Sequence, residues 1–438
     1  MPGDRSAMTA HCPAERLAVD QGWELMDLFR SNAERARTMS FPYGFDPELD
    51  ITWQPLGIGH GDLGMALVYS AADQLDPDGG WDRSAMEHVR AAADSFPDTP
   101  TAGIGLFSGT SALAFCLRAL SREGERYVRA IVDVDAVLAA QLRRELQRVD
   151  AHAGVATDFY DVIVGLAGAV TYVMTTAAAE TALREPAVRA IGELAALALV
   201  DSPGGLWTPP EKVGELEGRL RPELWAGYLN CGFAHGIAGV LNLLGQACDR
   251  GIGGDLVVEA TDRLADLLVE VSTTPAGLDV PANVPLHRFR AGDRGSDCAR
   301  SRYAWCYGNL GAALPFHNSR YLAARHPGLL ARLLDTSGRT ADDMGLDNPT
   351  LCHGTAGKLV LERAMLGAET VHDNVAGLLA QRNPERVFGF DNVQTSCPTL
   401  DSPGLLDGSG GSAVALVSLA APPDALHAVR MFTGRWPS

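Results

Sequence analysis

Lysine is almost missing from this chain of 438 residues: only Lys212 and Lys358 occur, so its basic content is arginine. Positive charge as a whole is short, with 36 basic against 54 acidic side chains and a net charge of −18. A nucleic-acid partner needs a basic face to neutralise phosphates, and an anionic membrane surface needs a polybasic patch, so neither is expected. Cysteine is scarce too. Eight thiols scattered along the chain make no disulfide framework and suit a reducing compartment. No run approaches the ~18 uninterrupted apolar residues of a membrane span. The longest, from Ser412 to Ala421, reads as a buried helix. The N-terminal stretch MPGDRSAMTAHCPAERL lacks the apolar core of a secretory signal. These absences together predict a cytoplasmic protein with no membrane insertion.

Glycine is plentiful, 47 residues, and it is ordered. A glycine turn running into an apolar stretch recurs seven times: HGDLGMAL, SGTSALAF, VGLAGAVT, HGIAGVLN, YGNLGAAL, HGTAGKLV and DGSGGSAV. The first glycines are Gly61, Gly109, Gly165, Gly236, Gly308, Gly354 and Gly408, at spacings of 48, 56, 71, 72, 46 and 54 residues. Six copies contain G-x-x-G, and the second has Ala112 at its last small position. Between copies lie amphipathic stretches such as 125–149 and 255–272, apolar at helical spacing with charges opposite. A period near fifty holds two helices. An all-apolar helix must be buried on every side, whereas an amphipathic one can face water. Seven such pairs predict an all-α fold: an α/α toroid of seven inner and seven outer helices, a single domain over 1–438 with an N-terminal extension of about 50 residues. The two longest intervals carry Pro- and Gly-rich loops, 208–230 and 273–297, which suit either the rim of a binding face or plain surface connections.

Aligning the copies on the first glycine makes the polar outliers informative. Cys306 and Cys352 both stand two residues before it, in consecutive copies. His353 and His235 stand one before it, Asp161 four before and Arg302 six before. In a ring, copies three to six are neighbours, so these side chains are expected at one mouth. Two cysteines and a histidine at helix N-termini suit Zn2+, and three protein ligands leave the fourth position open, the mark of a catalytic site. Taken alone, Asp161 is a helix cap, Arg302 a surface ion-pair partner and Trp305 a packing residue. His60 occupies the His235 register without a neighbouring cysteine and suits a structural hydrogen bond. Cys116, Cys231, Cys248 and Cys298 read as core or loop thiols; Cys12 and Cys397 are given no role.

At these residues the chain resembles the lanthionine synthetase C family, on YDVIVGLAG (160–168), NCGFAHGIAG (230–239), SRYAWCYGNLG (301–311) and LCHGTAG (351–357). The resemblance implies an α/α toroid, zinc held by Cys306, Cys352 and His353, acid–base work by Asp161 and His235, and an active-site arginine at Arg302. It implies an enzyme of lanthipeptide antibiotic biosynthesis: a lanthionine synthetase that adds peptide cysteine thiols to dehydroalanine or dehydrobutyrine, a Michael addition closing thioether rings. The partners implied are a dehydrated precursor peptide, a separate dehydratase, and a transporter in a maturation complex. Two departures stand out. Asp407 occupies a position where the family more often has glutamate, and the interval of 56 residues between Gly109 and Gly165 is short for the SH2-like insertion of some members. Three rivals remain at this stage. One is a relative that adds glutathione or another thiol to dehydrated residues. The second is a zinc toroid of the prenyltransferase β-subunit kind, which needs a basic diphosphate pocket. The third is a non-catalytic zinc scaffold.

Overall fold

The computed structural model describes residues 12–42, 50–96, 103–147, 153–176, 181–292, 301–367, 370–394 and 397–437; Cys298 lies outside them. Every registered glycine is the residue immediately before an apolar helix. Gly61 precedes Asp62–Leu75, Gly109 precedes Thr110–Ala119, Gly165 precedes Leu166–Thr175 and Gly236 precedes Ile237–Asp249. Gly308, Gly354 and Gly408 precede Asn309–Asn318, Thr355–Leu366 and Ser409–Val417. The second glycine of the signature has its own steric reason. It lies against the carbonyl of the residue six earlier, so that a Cβ at Gly168 would come 2.1 Å from the Val162 oxygen and one at Gly311 2.0 Å from the Trp305 oxygen. The first turn of the six helices with this second glycine is therefore pressed onto the loop that leads into it.

By its internal contacts the chain divides into two units, each made of discontinuous segments. The first comprises residues 1–102, 107–134 and 346–433; the second 103–106, 135–345 and 434–438. Within the first unit, helices Thr355–Leu366, Ser409–Val417, Asp62–Leu75 and Thr110–Ala119 pack in succession, with Val371–Leu379, Pro13–Ser31 and Trp81–Ser95 against them. Ser409–Val417 is buried along its whole length, as its apolar composition demands. The Pro13–Ser31 helix, part of the expected N-terminal extension, is built into this core. It packs on Ser409–Val417, with Gly22 against Val417 and Trp23 tilted against Trp81, ring centroids 5.7 Å apart.

In the second unit, Leu166–Thr175, Ile237–Asp249 and Asn309–Asn318 are the apolar helices. Arg184–Leu199, Gly254–Ser272 and the broken pair Arg320–Arg325 and Leu329–Leu334 pack against them. Gly254–Ser272 buries Val257, Ala260, Leu264, Leu268 and Val271, a stripe at three- and four-residue steps. The two long loops are paired with each other: strand Tyr228–Asn230 runs antiparallel to Asn283–Pro285. Among the described residues no helix is long and apolar enough to cross a membrane.

Candidate active site

Asp161 closes the short helix Thr157–Tyr160 and is almost completely buried, 1% exposed. Its two oxygens do different things. Oδ1 accepts the backbone N–H of Val164 at 2.7 Å and of Gly165 at 2.8 Å, which caps the start of Leu166–Thr175. Oδ2 accepts from Nδ1 of His235 at 2.6 Å. The capping reading of Asp161 thus holds on Oδ1, while Oδ2 sets the carboxylate beside the His235 ring. A carboxylate only accepts, so the bond places a proton on Nδ1 and leaves Nε2 as the acceptor of a neutral ring. The His235 side chain is 41% exposed, so the ring reaches the surface of the unit. Burial works against its charged form, but the bond to Asp161, the charge of Asp161 and that of Cys306 outweigh it and raise its pKa.

Cys306 reaches the same place through its backbone. Its carbonyl accepts N–H groups of Phe233 at 3.0 Å and Ala234 at 3.3 Å, just before His235. Tyr307 stacks on the His235 ring, centroids 6.4 Å apart, and its hydroxyl accepts from Asn230 at 3.2 Å. The register position six before the first glycine explains what sets Arg302 apart. Asn230, Asn348 and Ser402 hold that position in copies four, six and seven. Each accepts the N–H two residues on, at 3.0, 3.1 and 3.1 Å, and so shapes the incoming turn. Arginine has no acceptor for that bond. The turn after Arg302 instead relies on Gly308 at φ +94°, where an added Cβ would lie 1.6 Å from the Arg302 oxygen. Arg302 is half-buried, its stem beside Gly345.

In the first unit, Cys352 and His353 lie in the turn before Thr355–Leu366. The Cys352 amide donates to the Leu406 carbonyl at 3.0 Å, and the Thr355 amide to that of Asn348 at 2.9 Å. Cys352 is half-buried and His353 is 9% exposed. His60 has the structural bond expected of it: Nδ1 pairs with the Ser402 hydroxyl, and burial pulls its pKa down to about 4. Trp305 packs on Phe233, centroids 5.7 Å apart. Cys116 and Cys231 are buried, and Cys248 pairs with Thr261 at 3.3 Å.

A supporting network was not visible as a pattern. The Tyr228 hydroxyl donates to Glu217 at 2.6 Å and is bonded to Thr157 at 3.0 Å, while Thr157 in turn accepts the Asp161 amide on its carbonyl at 3.1 Å. Burial and the neighbouring Glu217 push the Tyr228 hydroxyl well up, so it keeps its proton. The one sequence signal was that Glu217, Tyr228 and Asn230 lie in the first of the two long loops.

Comparisons with known proteins bear on the fold and the family. No curated protein matches the chain. Among solved structures, nisin cyclase superposes with a TM-score of 0.72 at 17% identity, over 94% of this chain and 98% of that one. That likeness shows the fold, an α/α toroid. The family model described as lanthionine synthetase C-like protein matches residues 52–432, nearly the whole chain, which therefore belongs to the lanthionine synthetase C-like family.

Proposed function

We propose that the protein is a lanthipeptide cyclase: it joins peptide cysteine thiols to dehydroalanine or dehydrobutyrine residues and closes (methyl)lanthionine rings with the help of zinc. The observation that carries this reading is the Asp161–His235 pair, an oriented acid–base couple opening to the surface, on a chain of this family. Residues 1–438 are read as one cyclase domain, with the first fifty preceding the stretch that matches the family.

Cys306, Cys352 and His353 are the proposed zinc ligands. Their chemistry fits zinc: two sulfurs and an imidazole nitrogen, with a fourth position left for substrate. Zinc bound there supplies a substrate thiol in its deprotonated form at neutral pH, where a free cysteine of pKa near 8.5 offers only a few per cent. The residues of the chain do the rest. His235 takes up the released proton at Nε2, its ring held by Asp161 through Nδ1. Attack on the β-carbon builds negative charge on the amide oxygen of the dehydrated residue, and Arg302 stabilises that charge. His235, now imidazolium, returns the proton to the α-carbon. The raised pKa of His235 suits both halves of the cycle, because the ring is a stronger base before the addition and still an acid after it.

The substrate is a dehydrated precursor peptide, so a separate dehydratase must act first; a transporter and a cytoplasmic setting go with the same reading. The test is direct. Elemental analysis of the purified chain should find one zinc, lost in Cys306→Ala. A dehydrated peptide with free cysteines should lose its thiols to ring closure with the wild-type protein only. Zinc-free, folded wild-type protein would overturn the proposal. Addition of glutathione with no ring closure would favour the relative that uses a free thiol.

A further inference from the structure

A cleft of about 510 Å3 opens in the second unit, walled by helices Arg184–Leu199 and Gly254–Ser272. That volume suits a bulky side chain or two. Its floor is apolar: Trp207 and Phe289, ring centroids 4.8 Å apart, with Leu229 and Leu264. Its wall is acidic. Glu259, Asp262, Asp266 and Glu270 follow one another at three- and four-residue steps and so share one face of their helix. The basic residue in the lining, Arg263, is bonded to Asp201. Asp262 is held by Arg325 at 2.9 Å, whereas Glu259 and Asp266 are exposed and have no bonded cation among the described residues.

Leu229 ties this cleft to the candidate active site. Side chains alternate across a strand. In Tyr228–Asn230 the central residue lines the cleft, while Tyr228 bonds Thr157 and Asn230 bonds Tyr307.

We propose that this cleft is a second binding place for the peptide substrate, taking a segment with a large apolar side chain flanked by arginine or lysine. The inference rests on the reading of the substrate as a peptide. Charge complementarity selects the occupant, since an acidic segment would meet a row of carboxylates, of which Glu259 and Asp266 are exposed. The carboxylate row, Glu259 to Glu270, spans eleven residue-to-residue steps of helix, roughly 16 Å at ~1.5 Å per step. About five residues of extended chain cover the same length. A small molecule would not need it.

The test uses the full chain and a fluorescein-labelled heptapeptide of alternating arginine and leucine, followed by anisotropy at low and high salt. The expected result is binding that weakens with salt and falls at least ~10-fold in the double variant Glu259→Arg, Asp266→Arg. The counterpart peptide of glutamate and leucine should not bind. Reversing two exposed acids of the first unit, Glu87→Arg and Asp94→Arg, should leave binding unchanged. Equal binding of the two peptides, undiminished binding to the first variant, or equal loss in the second would each overturn the proposal. The four altered positions are solvent-facing, and a melting curve alongside checks folding. Zinc content and ring closure on a short peptide without basic residues should be unchanged in the Glu259, Asp266 variant. If the wild type binds the basic peptide but closes no ring, the cyclase reading falls and the cleft stands.

Discussion

Asp161 carries two tasks on two oxygens, and this divides its substitutions into two classes. In Asp161→Asn the amide oxygen still accepts from Val164 and Gly165, so the cap survives. The amide nitrogen then faces His235 and donates to Nδ1, forcing the ring proton to Nε2 and removing the base. Ring closure should fall ~10²–10⁴-fold with little change in melting temperature. Free-thiol labelling over time and a thermal scan would show it; a rate within a few-fold of wild type would remove His235 from the proton path. The same substitution deletes the carboxylate that raises the His235 pKa, so burial should bring its NMR titration midpoint below the wild-type value. Asp161→Ala loses the cap as well and should cost a further ~0.5–2 kcal/mol.

At the scale of elements, glycine matters most where an added Cβ would meet backbone. Gly308 has φ +94°, and its missing Cβ makes room for the Arg302 carbonyl. Gly308→Ala should therefore cost at least about 3 kcal/mol, from left-handed strain and the clash together. The damage should centre on the loop that carries Arg302 and Cys306. Gly192, inside the helix Arg184–Leu199, has nothing within 4 Å of an added Cβ. Gly192→Ala should stabilise by ~0.5–1 kcal/mol. Urea denaturation of the pair would check both signs, and similar shifts for the two would refute the steric account of the repeat. The glycine register was legible because seven copies impose one constraint on one residue type. The network from Glu217 through Tyr228 to Thr157 was not, because its members are 11 and 71 residues apart and share no spacing.

For the molecule as a whole, buried histidines set the response to acid. Burial holds His60 neutral, with a pKa of about 4; burial, helped by Arg430, does the same to His427. Both groups bind protons more readily unfolded, near pKa 6.5, than folded. Their stability contribution is therefore complete above about pH 6.5 and is lost as the pH falls toward 4. His235 runs the other way: its raised pKa stabilises the folded state below the unfolded value, and that gain disappears as pH rises through the folded one. Two groups oppose one, so urea midpoints should fall between pH 6.5 and 4.5, and His60→Gln should flatten part of the decline. A profile unchanged in that variant would show that His60 is not buried as a neutral ring.

What the sequence by itself determined is the repeat: seven glycines, each at the head of an apolar helix, and amphipathic helices between them. Local sterics and hydrophobic period act over a few residues, so they are written in the linear order. The candidate residues were found the same way, by register, and Asp161 with His235 answers to it. Tertiary structure alone decided the rest. It placed the Pro13–Ser31 helix against Ser409–Val417, joining two ends of the chain that no period connects. It paired the two long loops through Tyr228–Asn230 and Asn283–Pro285, and so set Leu229 in an acidic cleft on the strand that braces the candidate active site. Contacts of that kind depend on where distant segments meet when the core closes, and a hydrogen bond between residues seventy apart leaves no spacing to read.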